Sequence, residues 1–181
     1  IRRQGHGLRV GLAWGGNPSQ HRDRMRSVGL ERLAPILATQ GVTFYSLQKG
    51  PAAGQVECAG DSELVNLERV LGDFADTAAA IAALDLVITV DTSVAHLAGA
   101  LGKPVWVLLP HVACWRYLLN REDSIWYPTM RIFRQDMPNE WSPPVEAAAV
   151  ALAVAARDRT MLATRVSPRD ARLSDTPASG W

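Results

Sequence analysis

Residues 84–110 read LDLVITVDTSVAHLAGALGKPVWVLLP, and this stretch decides the fold. Leu86–Val90 is an apolar, β-branched run, the pattern of a parallel strand buried on both faces. Asp91, Thr92 and Ser93 follow at once, all three good helix N-cap types. Ala95, Leu97, Ala98 and Leu101 then recur at helical spacing. Gly102 stands where a helix C′ glycine belongs, and Pro104 follows where proline stops a helix. Val105–Leu109 reads as a second buried strand. A strand–helix–strand unit of this kind belongs to a parallel sheet.

The chemistry lies at the first turn. Where the strand ends and the helix begins, the backbone N–H groups of Thr92, Ser93 and Val94 meet the positive end of the helix dipole, an arrangement suited to an anion. His96 sits one turn in. The same turn also reads as ordinary helix capping, because every α/β domain has such turns.

Working outward, Leu8–Trp14 reads as the first strand, followed by the loop GGNPSQHRDRMRS at Gly15–Ser27. His21, Arg22, Arg24 and Arg26 make that loop basic, and its place after the first strand puts it on the same sheet edge as the Asp91 turn. An arginine there suits phosphate, because its planar fork makes paired hydrogen bonds. Leu30–Thr39 reads as an amphipathic helix in which Pro35 sits in the first turn or makes a kink. Val42–Leu47 is a second strand that delivers Gln48 and Lys49 to the same edge, and Gly50–Asp61 reads as loop. Leu64–Leu67 is a candidate short strand. Asp73 or Asp76 caps an alanine-rich helix over Thr77–Leu84. Trp115, Trp126 and Tyr127 are expected to pack rather than to wall a cleft. Met130–Phe133 reads as a last strand, and Pro143 fits the first position of a closing helix over Glu146–Arg157. The alternation predicts one doubly wound, Rossmann-like α/β domain with a mostly parallel sheet over residues 8–158, between a linker at 1–7 and a disordered tail at 159–181.

Composition bounds the function. The 181 residues carry a net charge of +1, which argues against a general nucleic-acid binder. The 2 cysteines, Cys58 and Cys114, form no disulfide framework and suit a reducing, cytoplasmic setting. No apolar run reaches the roughly 18 residues of a membrane span, and no signal peptide is visible. The chain begins at Ile1 rather than Met and is read as part of a longer protein. A GxGxxG fingerprint, a Walker-type loop and a GxSxG elbow are all missing. No metal-ligand cluster is apparent: His111 and Cys114 are only two residues. No cofactor is called for.

The block DFADTAAAIAALDLVITVDTSVAHLAGALGKPVWVLLP, Asp73–Pro110, strongly resembles the C-terminal half of GT-B glycosyltransferases, the heptosyltransferase-like enzymes of glycosyltransferase family 9 above all. The segments GLAWGGNPSQHRDRMRSVGLERLAPIL (Gly11–Leu37) and WRYLLNREDSIWYPTMRIFRQ (Trp115–Gln135) look like the same group, which often occurs in bacterial tetratricopeptide-repeat proteins. A more distant likeness is to protein O-GlcNAc transferases.

The resemblance implies a nucleoside diphosphate sugar donor and a hydroxyl acceptor. By motif, Thr92 and Ser93 would bind the diphosphate, with Arg24 or Arg26 on the same group. Asp91 would contact the sugar or orient the turn, His96 would lie against the phosphates or nucleoside, and Gln48 and Lys49 would line the cleft. Ser93 stands where the heptosyltransferase pattern has glycine, and Arg26 precedes Ser27 and Val28 rather than tryptophan and proline. Both departures fit the repeat-containing subgroup. No carboxylate cluster such as Asp-x-Asp offers a metal ion a home, so metal-independent transfer is expected. The resemblance implies that the general base and acceptor site lie largely in an N-terminal domain; His96 is the local candidate base. The competing expectation is a GT-B-like scaffold module that has lost its chemistry and sits beside repeats that recruit protein partners.

Overall fold

The computed structural model describes residues 7–58 and 64–163. Six strands form a single sheet: β1 (Leu8–Ala13), β2 (Val42–Ser46), β3 (Leu64–Asn66), β4 (Leu86–Val90), β5 (Val105–Leu109) and β6 (Met130–Arg134). Their order is β3-β2-β1-β4-β5-β6, and every neighbouring pair is parallel. This is the doubly wound, Rossmann-like order, whose direction reverses between β1 and β4. β4 and β5 are buried along their whole length.

The two-residue period of a strand divides its side chains between two cores. Leu86, Ile88 and Val90 of β4 and Trp106 and Leu108 of β5 join one core with Leu152 and Ala155. Val87, Val105, Val107 and Leu109 join the other with Ile81, Ala95 and Ala98. The first core is covered by α5 (Ser142–Arg157) and by Leu30–Leu37; the second by α3 (Phe74–Ala82) and α4 (Ser93–Ala100).

The helices differ from the sequence expectations in ways with local causes. The helix expected over Leu30–Thr39 is a 3-10 turn, Leu30–Leu33, followed by one turn of α-helix, α2 (Ala34–Leu37). Pro35 lies in the first turn of α2, where its missing N–H is harmless. The Gly50–Asp61 loop holds a 3-10 helix at Pro51–Cys58. α3 starts at Phe74 rather than Thr77, because Asp73 and Asp76 cap it reciprocally. Asp73 accepts from the N–H of Ala75 (2.8 Å) and Asp76 (2.9 Å), and Asp76 accepts in return from the N–H of Asp73 (3.4 Å) and also from that of Gly72 (2.9 Å). α5 starts at Ser142, with proline in its first turn. Gly102 ends α4 at φ +67°, the left-handed conformation a C′ glycine supplies. Arg159–Ala163 forms a further 3-10 turn, and Arg159 donates to the Gly7 carbonyl at 2.9 Å. The rest of the expected tail, residues 164–181, and most of the expected linker lie outside the described residues.

Among the described residues no helix is long and apolar enough to cross a membrane.

Candidate functional site

The carboxyl ends of β1, β2 and β4 open into a cleft of about 680 Å³. This is the place where strand order reverses and where ligands bind in open α/β sheets. Its floor and near wall are Ala13, Gly15, Gly16, Leu47, Gln48 and Lys49. Thr92, Ser93 and Val94 of the α4 turn close one end beside Arg26; Gly72, Asp73, Phe74 and Thr77 close another. Phe74 is 66% exposed, so its ring stands at the mouth.

Thr92 is the N-cap of α4, in extended backbone at φ −137°, but its hydroxyl does not cap the helix. It lies 3.2 Å from the Thr89 hydroxyl instead. Among the described residues, the Thr92 side chain therefore leaves the first N–H groups of α4 uncapped, and these are the groups a helix leaves without partners.

Two distant segments hold Asp91, the residue before Thr92, and His96 of α4 lies beside it. Arg26 donates from Nη1 to the Asp91 carbonyl at 2.8 Å. The Tyr117 hydroxyl donates to Asp91 Oδ1 at 2.9 Å. His96 Nε2 lies 3.8 Å from the same oxygen, and its ring stacks near Tyr117, with centroids 6.2 Å apart. Burial, with Asp91 beside it, pushes the Tyr117 phenol far above its usual range, so it stays a donor. Burial also pushes the His96 imidazole below its usual value; Arg116 adds to this and Asp91 partly opposes it. At neutral pH His96 is therefore uncharged.

The basic loop is organised around an acid. Asp23, buried in α1 (Asp23–Arg26), accepts from Arg26 Nε at 3.1 Å and from the Ser27 hydroxyl at 3.0 Å. The Ser27 hydroxyl accepts in turn from the Gly16 N–H at 2.9 Å. Arg26 thus reaches the cleft as a braced group. Arg24 is exposed and stands outside the cleft lining.

Gln48 lines the cleft, yet its amide is engaged with backbone on all sides. Oε1 accepts from the N–H of Trp14 (2.9 Å) and Gly15 (2.8 Å), and Nε2 donates to the carbonyls of Gly15 (3.0 Å) and Lys49 (2.9 Å). It clasps the ends of β1 and β2 together. Lys49 Nζ donates to the Leu71 carbonyl, which ties β2 to the entrance of α3.

The structure thus gathers Arg26, Gln48, Lys49, Thr92 and Ser93 around one cleft. Asp91 and His96 lie behind the α4 turn, and Arg24 stands apart. Sequence reasoning did not assign site roles to Asp23, Tyr117 and Phe74. Among the described residues no group of three or more His, Cys, Asp or Glu side chains is placed to hold a metal ion.

Comparison with known proteins narrows the reading. Residues 33–108 match the model of glycosyltransferase family 9 (heptosyltransferase). That match spans β2, β4 and the α4 turn, and it supports a glycosyltransferase family 9 domain here. The chain is 32% identical over 158 residues to Protein FlbA of Caulobacter vibrioides, covering 84% of this chain and 26% of that protein. Two solved structures share the fold. The ADP-heptose lps heptosyltransferase II of E. coli superposes with a TM-score of 0.55 at 16% identity, over 88% of this chain and 47% of that one. A glycosyl transferase family 9 protein from Veillonella parvula gives 0.55 at 15%, with the same coverage. The chain therefore spans about a quarter of the curated relative and about half of each family 9 structure.

Proposed function

We propose that this domain binds the nucleoside diphosphate of a sugar donor and serves glycosyl transfer to a hydroxyl acceptor, as one half of a GT-B unit in a longer protein with tetratricopeptide repeats. The observation that carries this reading is the N-terminus of α4, without a side-chain cap from Thr92, lining one cleft with Arg26, which is bonded to the turn beside it. Bond breaking leaves negative charge on the departing diphosphate. Preorganised N–H groups and a guanidinium that meet this charge stabilise the transition state more than the ground state. Thr92, Ser93 and Arg26 are the diphosphate ligands in this reading, and Asp91 orients the turn. Phe74, at the far end of the cleft, offers a face to the base. His96 sits behind the turn, outside the cleft lining, so it packs beside Asp91 rather than taking the acceptor proton. The general base and the acceptor hydroxyl belong to the other half of the longer protein.

The test is calorimetric titration of the chain with ADP, UDP, GDP and CMP. ADP leads the panel because a family 9 neighbour is named for ADP-heptose. Saturable binding of one nucleotide is expected, lost in Arg26→Ala and kept in Arg24→Ala. A folded chain that binds none of them overturns the donor reading and favours a scaffold module.

A further inference from the structure

Beyond the cleft, the connection from β5 to β6 carries an unusual cluster. Trp115 is 70% exposed and Trp126 is 52% exposed, against the expectation that both pack. Neither ring is loose. Trp126 Nε1 donates to the Arg116 carbonyl at 3.2 Å, and its N–H reaches the Ser124 hydroxyl at 3.2 Å. The two indoles meet edge to face, with centroids 6.3 Å apart and planes at 82°. A soluble surface that fixes the orientation of two exposed indoles forgoes the burial they would otherwise gain.

The same cluster holds a cation that no ion pair among the described residues includes. Arg116 is half-buried, and its Nε is buried with no hydrogen-bond partner among the described residues. Its guanidinium lies over the Trp115 ring, 5.8 Å from the centroid. Neighbouring arginines have partners for their terminal nitrogens: Arg121 pairs with Asp123 at 2.6 Å, and Arg134, whose Nε is likewise buried without a partner, donates from Nη2 to the Leu118 carbonyl at 2.7 Å. A partly desolvated guanidinium with open donors is a site for an anion. The cluster also adjoins the candidate site, because the next residue, Tyr117, holds Asp91.

We propose that Trp115, Trp126 and Arg116 form a subsite for a pyranose that carries a negatively charged group, a carboxylate or a phosphate. The apolar C–H face of the ring stacks on an indole, and the anion meets the guanidinium. The choice of a sugar rests on the glycosyl-transfer reading; the choice of an anionic one rests on Arg116 alone. The ligand is placed next to the segment that holds Asp91 rather than in the nucleotide cleft.

The test follows the indole N–H signals of the ¹⁵N-labelled 181-residue chain, assigned with Trp115→Phe and Trp126→Phe. Glucuronate, glucose 6-phosphate, glucose and inorganic phosphate are titrated in turn. Saturable shifts of the Trp115 and Trp126 signals with glucuronate or glucose 6-phosphate are expected, and which of the two binds more tightly separates carboxylate from phosphate. Loss of one charge-assisted contact in Arg116→Gln is expected to weaken that binding about tenfold or more, with the melting temperature unchanged. Equal binding of glucose overturns the role of Arg116, and equal binding of inorganic phosphate overturns the platform. Indole shifts that follow protein concentration rather than sugar identify a protein interface and overturn the subsite. ADP is then added to the same samples. A sugar response without any nucleotide binding leaves the subsite standing while the donor reading falls, and the converse removes the subsite alone.

Discussion

Gln48 offers the sharpest test of how this edge of the sheet is built. Its side chain is 3% exposed and its amide makes four hydrogen bonds to backbone. The substitution Gln48→Leu keeps the volume and deletes all four. At about 1 kcal/mol net for each bond, the loss is about 4 kcal/mol. The extra apolar burial of leucine returns about 1 kcal/mol, which leaves a destabilisation of about 3 kcal/mol. In a chain of this size that lowers the melting temperature by roughly 6–12 °C. Gln55 supplies an internal control, because its Oε1 accepts a single bond, from the Leu30 N–H at 2.9 Å. Gln55→Leu is expected to cost about 1 kcal/mol. Urea denaturation followed by tryptophan fluorescence measures both variants, and equal slopes for the two confirm that the unfolded states match. Should Gln48→Leu prove no more harmful than Gln55→Leu, the clasp contributes nothing and Gln48 is free to serve a ligand after all.

Four further outcomes are expected. A Cβ on Gly16 overlaps Asp23 Oδ1 and Arg26 Nη2, so Gly16→Ala breaks the Asp23–Arg26 pair; a loss of about 1–3 kcal/mol is expected, with weaker nucleotide binding by calorimetry. Burial opposes ionisation of Asp85, but hydrogen bonds from the Arg9 side chain and N–H outweigh it and hold the carboxyl below its usual value. The pair therefore stabilises the fold above the unfolded carboxyl range and loses this as pH falls through the folded value; Asp85→Asn is expected to flatten the acid limb of the urea midpoint. The imidazole of His96 is likewise held low, so its contribution is present above an unfolded value of 6.5 and fades as pH falls below that; an NMR titration of Asp91→Asn is expected to show the His96 midpoint lower still. Because Arg26 and Tyr117 both act through Asp91, the effects of Arg26→Met and Tyr117→Phe on nucleotide affinity are expected to be non-additive in a double-mutant cycle, and additive values would mean that they act separately.

The parallel sheet and the strand–helix–strand centre were legible because their signals are local. Leu86–Val90 and Val105–Leu109 are apolar at every position, and only strands buried on both faces need that. Gly102 was legible for the same reason, since one residue sets the conformation that ends α4. The start of α3 was not. Asp73 and Asp76 each suit a cap, and choosing between them misses that they cap reciprocally, which moves Phe74 into the helix and to the cleft mouth. Long-range polar contacts were also hidden. Nothing in the text of the basic loop says that Asp23 is buried and braces Arg26, or that Gln48 spends its amide on residues 33 and 34 positions away. Trp115 and Trp126 misled in the opposite direction, because large aromatics are normally core and only the surrounding packing reveals that these stay out.

Any α/β domain exposes N–H groups where a strand feeds a helix, so the α4 turn alone says little. What sets this turn apart is how Asp91 is held. Its carbonyl is taken by Arg26, which comes from the loop after β1, on one side of the point where strand order reverses. Its Oδ1 is taken by Tyr117, which comes from the segment after β5, on the other side. Neither contact is needed to cap α4, because Thr92 is the N-cap and the Asp91 side chain does not reach the helix N–H groups. A guanidinium from the loop after β1 and a phenol from the segment after β5, the two strands that flank β4, therefore converge on the residue that leads into Thr92 and Ser93. Arg26 is itself locked by a buried carboxylate, so the guanidinium facing the cleft and the backbone facing it are fixed relative to one another. That is the arrangement a site needs when it must meet charge that develops during a reaction, since donors already in place require no reorganisation at that moment.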